Sequence, residues 1–308
     1  MLKPQQLTSE ARAFPGLNLK SIEGTVLATI VNAKVPDVLN LDVSALPKRS
    51  QSFRSLKKAL TAGKGRTFIL ECKKSSPTLG DFCKDFNLDR LLSCYESRAS
   101  AISVLCEEHF FKGSLDYLSY VRARTSLPVI CKDFIIDEKQ LLKAVSAGAD
   151  AVLLMLSMLT RQRFLELYQK AVALGLEVLC EVDSEDDALF AAEHNLPIVG
   201  INNRDLRVLK IDLNNAKRLA PLLHDTTVVS ESGIASHQDL LFLKPIRSFL
   251  IGSSLSGSED LFFSADSMLY GTNKVCGITT EDALTAAIEG HAAIAGLIFC
   301  KKSPLYQP

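Results

Sequence analysis

Phe68-Ile69-Leu70-Glu71-Cys72-Lys73-Lys74-Ser75-Ser76-Pro77 is an apolar run of strand type that ends in an acid, a base and a Ser-Ser-Pro turn. Successive side chains of a strand point to opposite faces, so Glu71 and Lys73 share one face and Cys72 takes the other. An acid and a base at the end of a buried strand are costly unless they pair or do chemistry. Taken alone, the stretch reads equally well as a strand-end ion pair beside a turn. Its recurrence along the chain is what decides the fold.

From Arg66 onward, strand and helix signals alternate with a repeat of about 25 residues. The strand candidates are Thr67–Lys73, Ala101–Cys106, Val129–Phe134, Ala151–Leu156, Glu177–Val182, Ile198–Asn203, Thr227–Ser232 and Ser248–Ser253. Amphipathic stretches lie between them, such as Ser114–Arg124 with Leu115, Leu118 and Val121 on one face, and Thr160–Leu174. Gly148 and Gly175 read as helix C-terminal stops, and Asp183-Ser184-Glu185 and Ser236-His237 as starts. Near-continuous apolar strands alternating with helices predict a parallel sheet covered on both faces. Eight such units predict an α/β fold, a closed (β/α)8 TIM barrel. An open doubly wound sheet is the alternative, but no Gly-x-Gly-x-x-Gly follows the first strand. Before the barrel, residues 1–24 read as a loose polar leader. Thr25–Leu41 reads as a helix broken near Pro36, and Ser52–Leu60 as a second short helix, the pair capping one end of the barrel.

Composition narrows the function. The 308 residues carry equal numbers of acidic and basic side chains, so there is no global basic field for nucleic acid. No apolar run approaches the roughly 18 residues of a membrane span, and the N-terminus lacks a signal-peptide core. A cytoplasmic protein is expected. The eight cysteines include no Cys-x-x-Cys pair, and Cys72, Cys106, Cys131 and Cys180 fall in strand-like runs, as reduced core residues do. The five histidines show no ligand spacing, so no metal site is expected.

In barrels of this kind active sites lie at the C-terminal ends of the strands. Those ends are polar here: Glu71 and Lys73 on the first, Lys132 and Asp133 on the third, Glu181 on the fifth, Asn202-Asn203-Arg204-Asp205 on the sixth, Ser230-Glu231-Ser232-Gly233 on the seventh and Gly252-Ser253-Ser254 on the eighth. The strand starts carry no comparable set. Ser232-Gly233 and Gly252-Ser253, on adjacent strands, suggest a phosphate cradle of backbone N–H groups, to which Ser76 adds a hydroxyl.

These residues carry a resemblance. The chain resembles indole-3-glycerol phosphate synthase over residues 25–272, through Phe68–Pro77, Ala101–Leu105, Phe111–Ser114, Cys131–Asp137, Gly200–Leu206, Ser230–Ile234 and Phe249–Leu255. The resemblance implies an enzyme of tryptophan biosynthesis, a carboxy-lyase. It would act on a small phosphorylated substrate, 1-(2-carboxyphenylamino)-1-deoxyribulose 5-phosphate, and close the indole ring with loss of carbon dioxide and water. It implies Lys132 as general acid, Glu181 as the acid/base of the second half, and Glu71 and Lys73 as holders of Lys132. Lys73 could also hold the substrate carboxylate or act as the dehydration acid. Glu231 joins the catalytic set. Asn202 and Arg204 would orient the substrate near its carboxylate, Phe111 and Phe134 wall its ring, and Ser76, Ser232, Gly233, Gly252 and Ser253 contact its phosphate. No metal or organic cofactor is implied.

Residues 273–308 resemble the first strand–helix–strand of phosphoribosylanthranilate isomerase, with Cys276 at that enzyme's catalytic cysteine. Leu305 stands where the family's Ser-Pro-Arg run has arginine. The segment is therefore expected to be a truncated, inactive remnant. It could be disordered, dock on the barrel or pair with another chain; a monomer is expected, with the tail as the one route to association. Three rival readings are a lysine Schiff-base aldolase on the same barrel, using Lys132 or Lys73, a different phosphate-binding barrel of amino-acid biosynthesis, which would not match so many segments, and a degraded synthase kept as a binding module.

Overall fold

The computed structural model describes residues 2–307. Eight parallel strands close into a barrel: β1 (Thr67–Cys72), β2 (Ala101–Leu105), β3 (Val129–Lys132), β4 (Ala151–Met155), β5 (Glu177–Val182), β6 (Ile198–Asn202), β7 (Thr227–Glu231) and β8 (Ser248–Ile251). Each pairs with its sequence neighbours, and β8 returns to β1 with Thr67 opposite Ser248. Their residues are buried almost throughout, which is why they read as continuous apolar runs rather than alternating ones. The sequence places every strand but runs up to two residues too far at the polar ends of most. At three of these ends a backbone hydrogen bond continues one residue past the strand, from the Cys106, Leu156 and Asn203 N–H groups to the Lys132, Glu181 and Glu231 carbonyls.

The helix punctuation follows the local chemistry. Gly148 stands at φ 97° and caps Glu138–Ala147; Gly175, at φ 85°, follows Arg161–Ala173. Ser184 accepts the Asp187 N–H, and Ser236 forms a reciprocal capping box with Asp239.

The N-terminal segment departs from expectation in three respects. Residues 1–24 are no loose leader among the described positions. Short helices α1 (Ser9–Ala13) and α2 (Leu19–Ile22) bury Ala11 and Ile22 completely, and Leu2 N–H donates to the Pro77 carbonyl beyond β1 at 3.1 Å. Helix α3 (Val26–Leu39) runs unbroken through Pro36. An internal proline costs a helix about 3 kcal/mol, but Val31, Val35 and Val38 bury apolar surface on both sides of it. Finally, the two predicted helices cap opposite ends of the barrel. Val26 and Ile30 of α3 line the cavity at the C-terminal ends of the strands, whereas Ser55 and Lys57, at the start of α4 (Leu56–Thr61), hydrogen-bond Glu177 at the start of β5.

The strand starts are also less bland than the sequence suggests. Asp150, directly before β4 and fully buried, pairs with Arg49 at 2.7 Å and Arg122 at 3.1 Å, and accepts from the Arg54 and Val129 backbone N–H groups at 3.0 Å. These residues lie far apart in the chain, so no local pattern betrays the cluster.

Residues 274–296 form a parallel strand–helix–strand unit, Lys274–Cys276, Glu281–Glu289 and Ile294–Gly296. It docks on the barrel: His291 stacks on Tyr270 with centroids 4.3 Å apart, its Nδ1 3.4 Å from Asp266. Among the described residues no helix is long and apolar enough to cross a membrane.

Removing one partner of a buried charge cluster strands the others. Asp150→Ala should therefore lower the unfolding free energy by about 3–5 kcal/mol in urea titrations. A loss below about 1 kcal/mol would show that the cluster is incidental to stability.

Candidate active site

The C-terminal mouth of the barrel holds a cavity of about 490 Å³. Glu71, Lys73, Ser76, Phe111, Lys132, Glu181, Asn202, Arg204, Ser232, Gly233, Gly252 and Ser253 all line it, together with Phe134. Glu231 lies just beneath, 1 % exposed. Strand alternation brings this about: Glu71, Lys132, Glu181, Asn202 and Glu231 sit at or next to the last position of their strands and point inward, and the registers set Met155 opposite Glu181 and Asn202 opposite Glu231.

These groups form one connected charge layer. Lys132 Nζ lies 2.5 Å from Glu231 Oε2 and 3.9 Å from Glu71 Oε2; Lys73 Nζ lies 2.7 Å from Glu71 Oε1. The nearest partner of Lys132 is thus Glu231, and Glu71 is shared between the two lysines. Burial alone would lower the pKa of Lys132, but the carboxylates of Glu231, Glu71 and Glu181 outweigh it and hold the ammonium charged. Glu71 is likewise buried, yet Lys73 and Lys132 pull its pKa below the ordinary value. Glu181 behaves in the opposite way. Burial first, then the neighbouring Glu231 charge, push it up to about 8, against the pull of Lys132 and of the Asn202 amide that donates to its Oε1 at 3.0 Å. One carboxyl of the layer therefore carries a proton at neutral pH.

Two glycines make room for the layer. A Cβ on Gly252 would collide with the Glu71 carboxylate and crowd Lys73 Nζ, and one on Gly200 would collide with Glu231. Beside them, Ser232 and Gly233 both take left-handed backbone, at φ 65° and 80°. For a serine this is an uncommon conformation, held here by its surroundings. Ser253 and Ser254 open a short helix, so their N–H groups have no helical acceptor. Ser76 Oγ accepts from Leu79 N–H at 3.2 Å in the turn after β1.

Two rim residues named from sequence tie neighbouring elements to the mouth. Asp133 pairs with Lys34 of α3 at 2.8 Å, tying that helix to the mouth. Asn203 turns outward and pins the end of β7 by donating to Ser230 Oγ and the Glu231 carbonyl, both at 2.9 Å. Sequence reasoning passed over Glu107, which is fully buried and accepts from the N–H groups of His109, Phe110 and Phe111 at 2.8–2.9 Å. It fixes the turn that carries Phe111 to within 5.9 Å of Phe134, ring to ring. An acid inside the apolar-to-polar boundary of Leu105-Cys106-Glu107-Glu108 was the available signal. Arg204 is half-buried with no acidic partner among the described residues, and burial lowers its pKa.

The arrangement offers a held ammonium acid, a neutral carboxylic acid, an unpaired guanidinium and a backbone cradle, all opening on one apolar-walled space. Comparison with known proteins points the same way. The family profile described as indole-3-glycerol phosphate synthase matches residues 19–267. The chain is 43 % identical over 286 residues to the tryptophan biosynthesis protein TrpCF of Helicobacter pylori, covering 92 % of this chain and 63 % of that protein. It is 43 % identical over 259 residues to the TrpCF of Vibrio cholerae, covering 83 % and 55 %. The chain thus spans less than two thirds of these relatives' length. Among solved structures, a mutant tryptophan synthase alpha-subunit from Pyrococcus furiosus superposes with a TM-score of 0.51 at 14 % identity, covering 68 % of this chain and all of that one, a likeness of fold alone.

A neutral Glu181 has a direct signature. Its protonated-carboxyl infrared band should persist through pH 7, disappear as pH rises through about 8 and be missing in Glu181→Gln. Loss of the band near pH 4–5, where a free glutamate titrates, would remove the neutral acid from the site.

Proposed function

Since the chain belongs to the indole-3-glycerol phosphate synthase family, we propose that its barrel mouth converts 1-(2-carboxyphenylamino)-1-deoxyribulose 5-phosphate to indole-3-glycerol phosphate, carbon dioxide and water. The observation that carries this reading is the charge layer: an ammonium held charged by Glu231 and Glu71 within one cavity with a carboxyl that keeps its proton to about pH 8.

The chemistry needs both. In the first half, the ring carbon bearing the carboxylate attacks the ketone carbon, and the ketone oxygen takes a proton. Lys132 is the donor, because two carboxylates keep it protonated until negative charge develops on that oxygen. The carboxylate then leaves as carbon dioxide and its bonding pair restores the aromatic ring. In the second half the new hydroxyl leaves as water and the methylene beside the nitrogen loses a proton. Glu181 enters this half neutral, protonates the departing hydroxyl, and as the resulting carboxylate accepts the methylene proton. Each turnover consumes one proton from solvent, returned to Lys132.

Binding follows from charge. Two lysines offset Glu71 and Glu231 and Glu181 is neutral, so the layer itself has no charge to spare for an anionic substrate. Arg204, unpaired and half-buried, is the group for the substrate carboxylate, with Asn202 beside it. The Ser232-Gly233 and Gly252-Ser253 turns and Ser76 take the phosphate. Phe111 and Phe134 wall the ring. We assign residues 273–308 as an isomerase-like segment beside the synthase barrel, with no part in this site.

The chain contains no tryptophan, so indole emission on adding substrate can come only from product. Emission should appear with the unaltered protein, fall as pH rises above about 8, and drop at least 1000-fold in rate with Lys132→Ala, the scale of losing a general acid that also stabilises charge. Near-normal turnover in that variant would sink the assignment of Lys132. Borohydride treatment with substrate should trap no covalent adduct; trapping on Lys132 or Lys73 would favour a Schiff-base mechanism. Removing residues 273–308 should leave turnover within about twofold, since the segment meets the barrel at Tyr270 and Asp266 rather than at the mouth. A larger loss would make the segment part of the working barrel.

A further inference from the structure

Arg204 is carried by an element separate from the barrel ladder. Just past β6, Arg204–Asp205 pairs antiparallel with Lys210–Ile211 to form a small hairpin, with Leu209 at its turn in left-handed backbone at φ 59°. Leu206, Leu209 and Ile211 face the cavity, and Ile211 packs closely over Gly233. A ribbon of two residues per strand is marginal by itself, so its position must come from what ties it down.

Arg207 is the tie. Its backbone N–H and its Nε both donate to Asp205 Oδ1 at 2.8 Å, which locks the hairpin internally. Its Nη2 then reaches Asp183 Oδ1 at 3.5 Å. Asp183 follows β5, two residues beyond Glu181; its side chain is 7 % exposed, and its Oδ1 is buried without any hydrogen bond. At 3.5 Å the contact is an ion pair short of a hydrogen bond, and a shift of about half an ångström would complete it. We propose that Arg207 is a positioning residue: paired with Asp183, it latches the hairpin to the end of β5 and thereby sets where Arg204 meets the substrate carboxylate.

The surroundings favour the pair. Besides Arg207 and Asp205 on the hairpin, the charged groups near Asp183 are Asp187 on the following helix, itself paired with Arg161 at 2.6 Å, and Glu181 on β5. Burial, opposed by Arg207 and reinforced by Asp187 and Asp205, lifts the Asp183 carboxyl to about 6, so Arg207 is the cation that counteracts the rise. The hairpin root joins the catalytic layer directly: Asn202 Oδ1 accepts from Arg204 N–H at 2.9 Å while its amide holds Glu181.

The inference rests on the synthase reading, and its test separates the two. With the full chain, Arg207→Ala should raise KM about fivefold and leave kcat within about twofold, the scale of one partly buried ion pair. Arg207→Lys should recover part of the loss. Asp183→Asn should give the same KM rise, and the double variant no more than either single one. An unchanged KM in Arg207→Ala, or additive effects in the double variant, would overturn the latch. If the unaltered protein shows no turnover, the synthase reading fails. The latch is then judged without substrate, by hydrogen exchange of the 206–209 backbone amides. Exchange should quicken in each single variant and no further in the double; rates equal to those of the unaltered protein would overturn it.

Discussion

Three carboxyls and two ammonium groups share one largely buried layer at the mouth of the barrel, and the rest of the candidate site depends on their charges balancing. A buried charge costs several kcal/mol unless it is matched. With Lys132 and Lys73 each set against a carboxylate, the third acid has no cation left to justify ionising. Glu181 therefore keeps its proton, and a pKa near neutrality follows from burial and the count of charged partners around it. The same balance explains Gly200 and Gly252. Any side chain at either position would push a carboxylate away from its lysine and break the match.

Much of this was legible in the sequence, because barrel strands encode two things at once. Their apolar runs announce the sheet, and their last inward positions announce the site. Glu71, Lys73, Lys132, Glu181 and Asn202 could be found by asking which polar residues end a buried run. What stayed hidden is what sequence-distant segments build together. Asp150, Arg49 and Arg122 form one cluster from three unrelated stretches. Lys34 and Asp133 meet across almost a hundred positions, so the sequence placed Asp133 on the rim without showing the cation it holds. The 204–211 hairpin gave no periodic signal because each strand has two residues. Pro36 misled for an energetic reason: a proline's local cost was visible, and the burial that overrides it was not.

The two barrel ends divide their labour by the kind of charge they hold. At the strand starts, Asp150 is fully buried against two arginines and two backbone donors, closed off from any cavity that could admit a ligand. At the strand ends, charge is matched but access is kept, with Arg204 unpaired and the left-handed turn at Ser232-Gly233 facing the cavity. A buried cluster that ties distant segments together is a fastener, and one that opens on a cavity is a candidate site.

Helices α3 and α4 bind opposite ends of a barrel that comes after them in the chain. Ser55 and Lys57 bond a residue 120–122 positions later, and Arg49 and Arg54 find their acid 96–101 positions later. On the ribosome this segment emerges before the barrel, yet the residues it binds at the strand starts do not exist until β4 and β5 have been made. Its buried valines and leucines must wait exposed for that interval, and closing such long loops slows the step that ends it. For this segment the order of synthesis and the order of assembly run in opposite directions, as they do for β1, whose partner β8 is made later still.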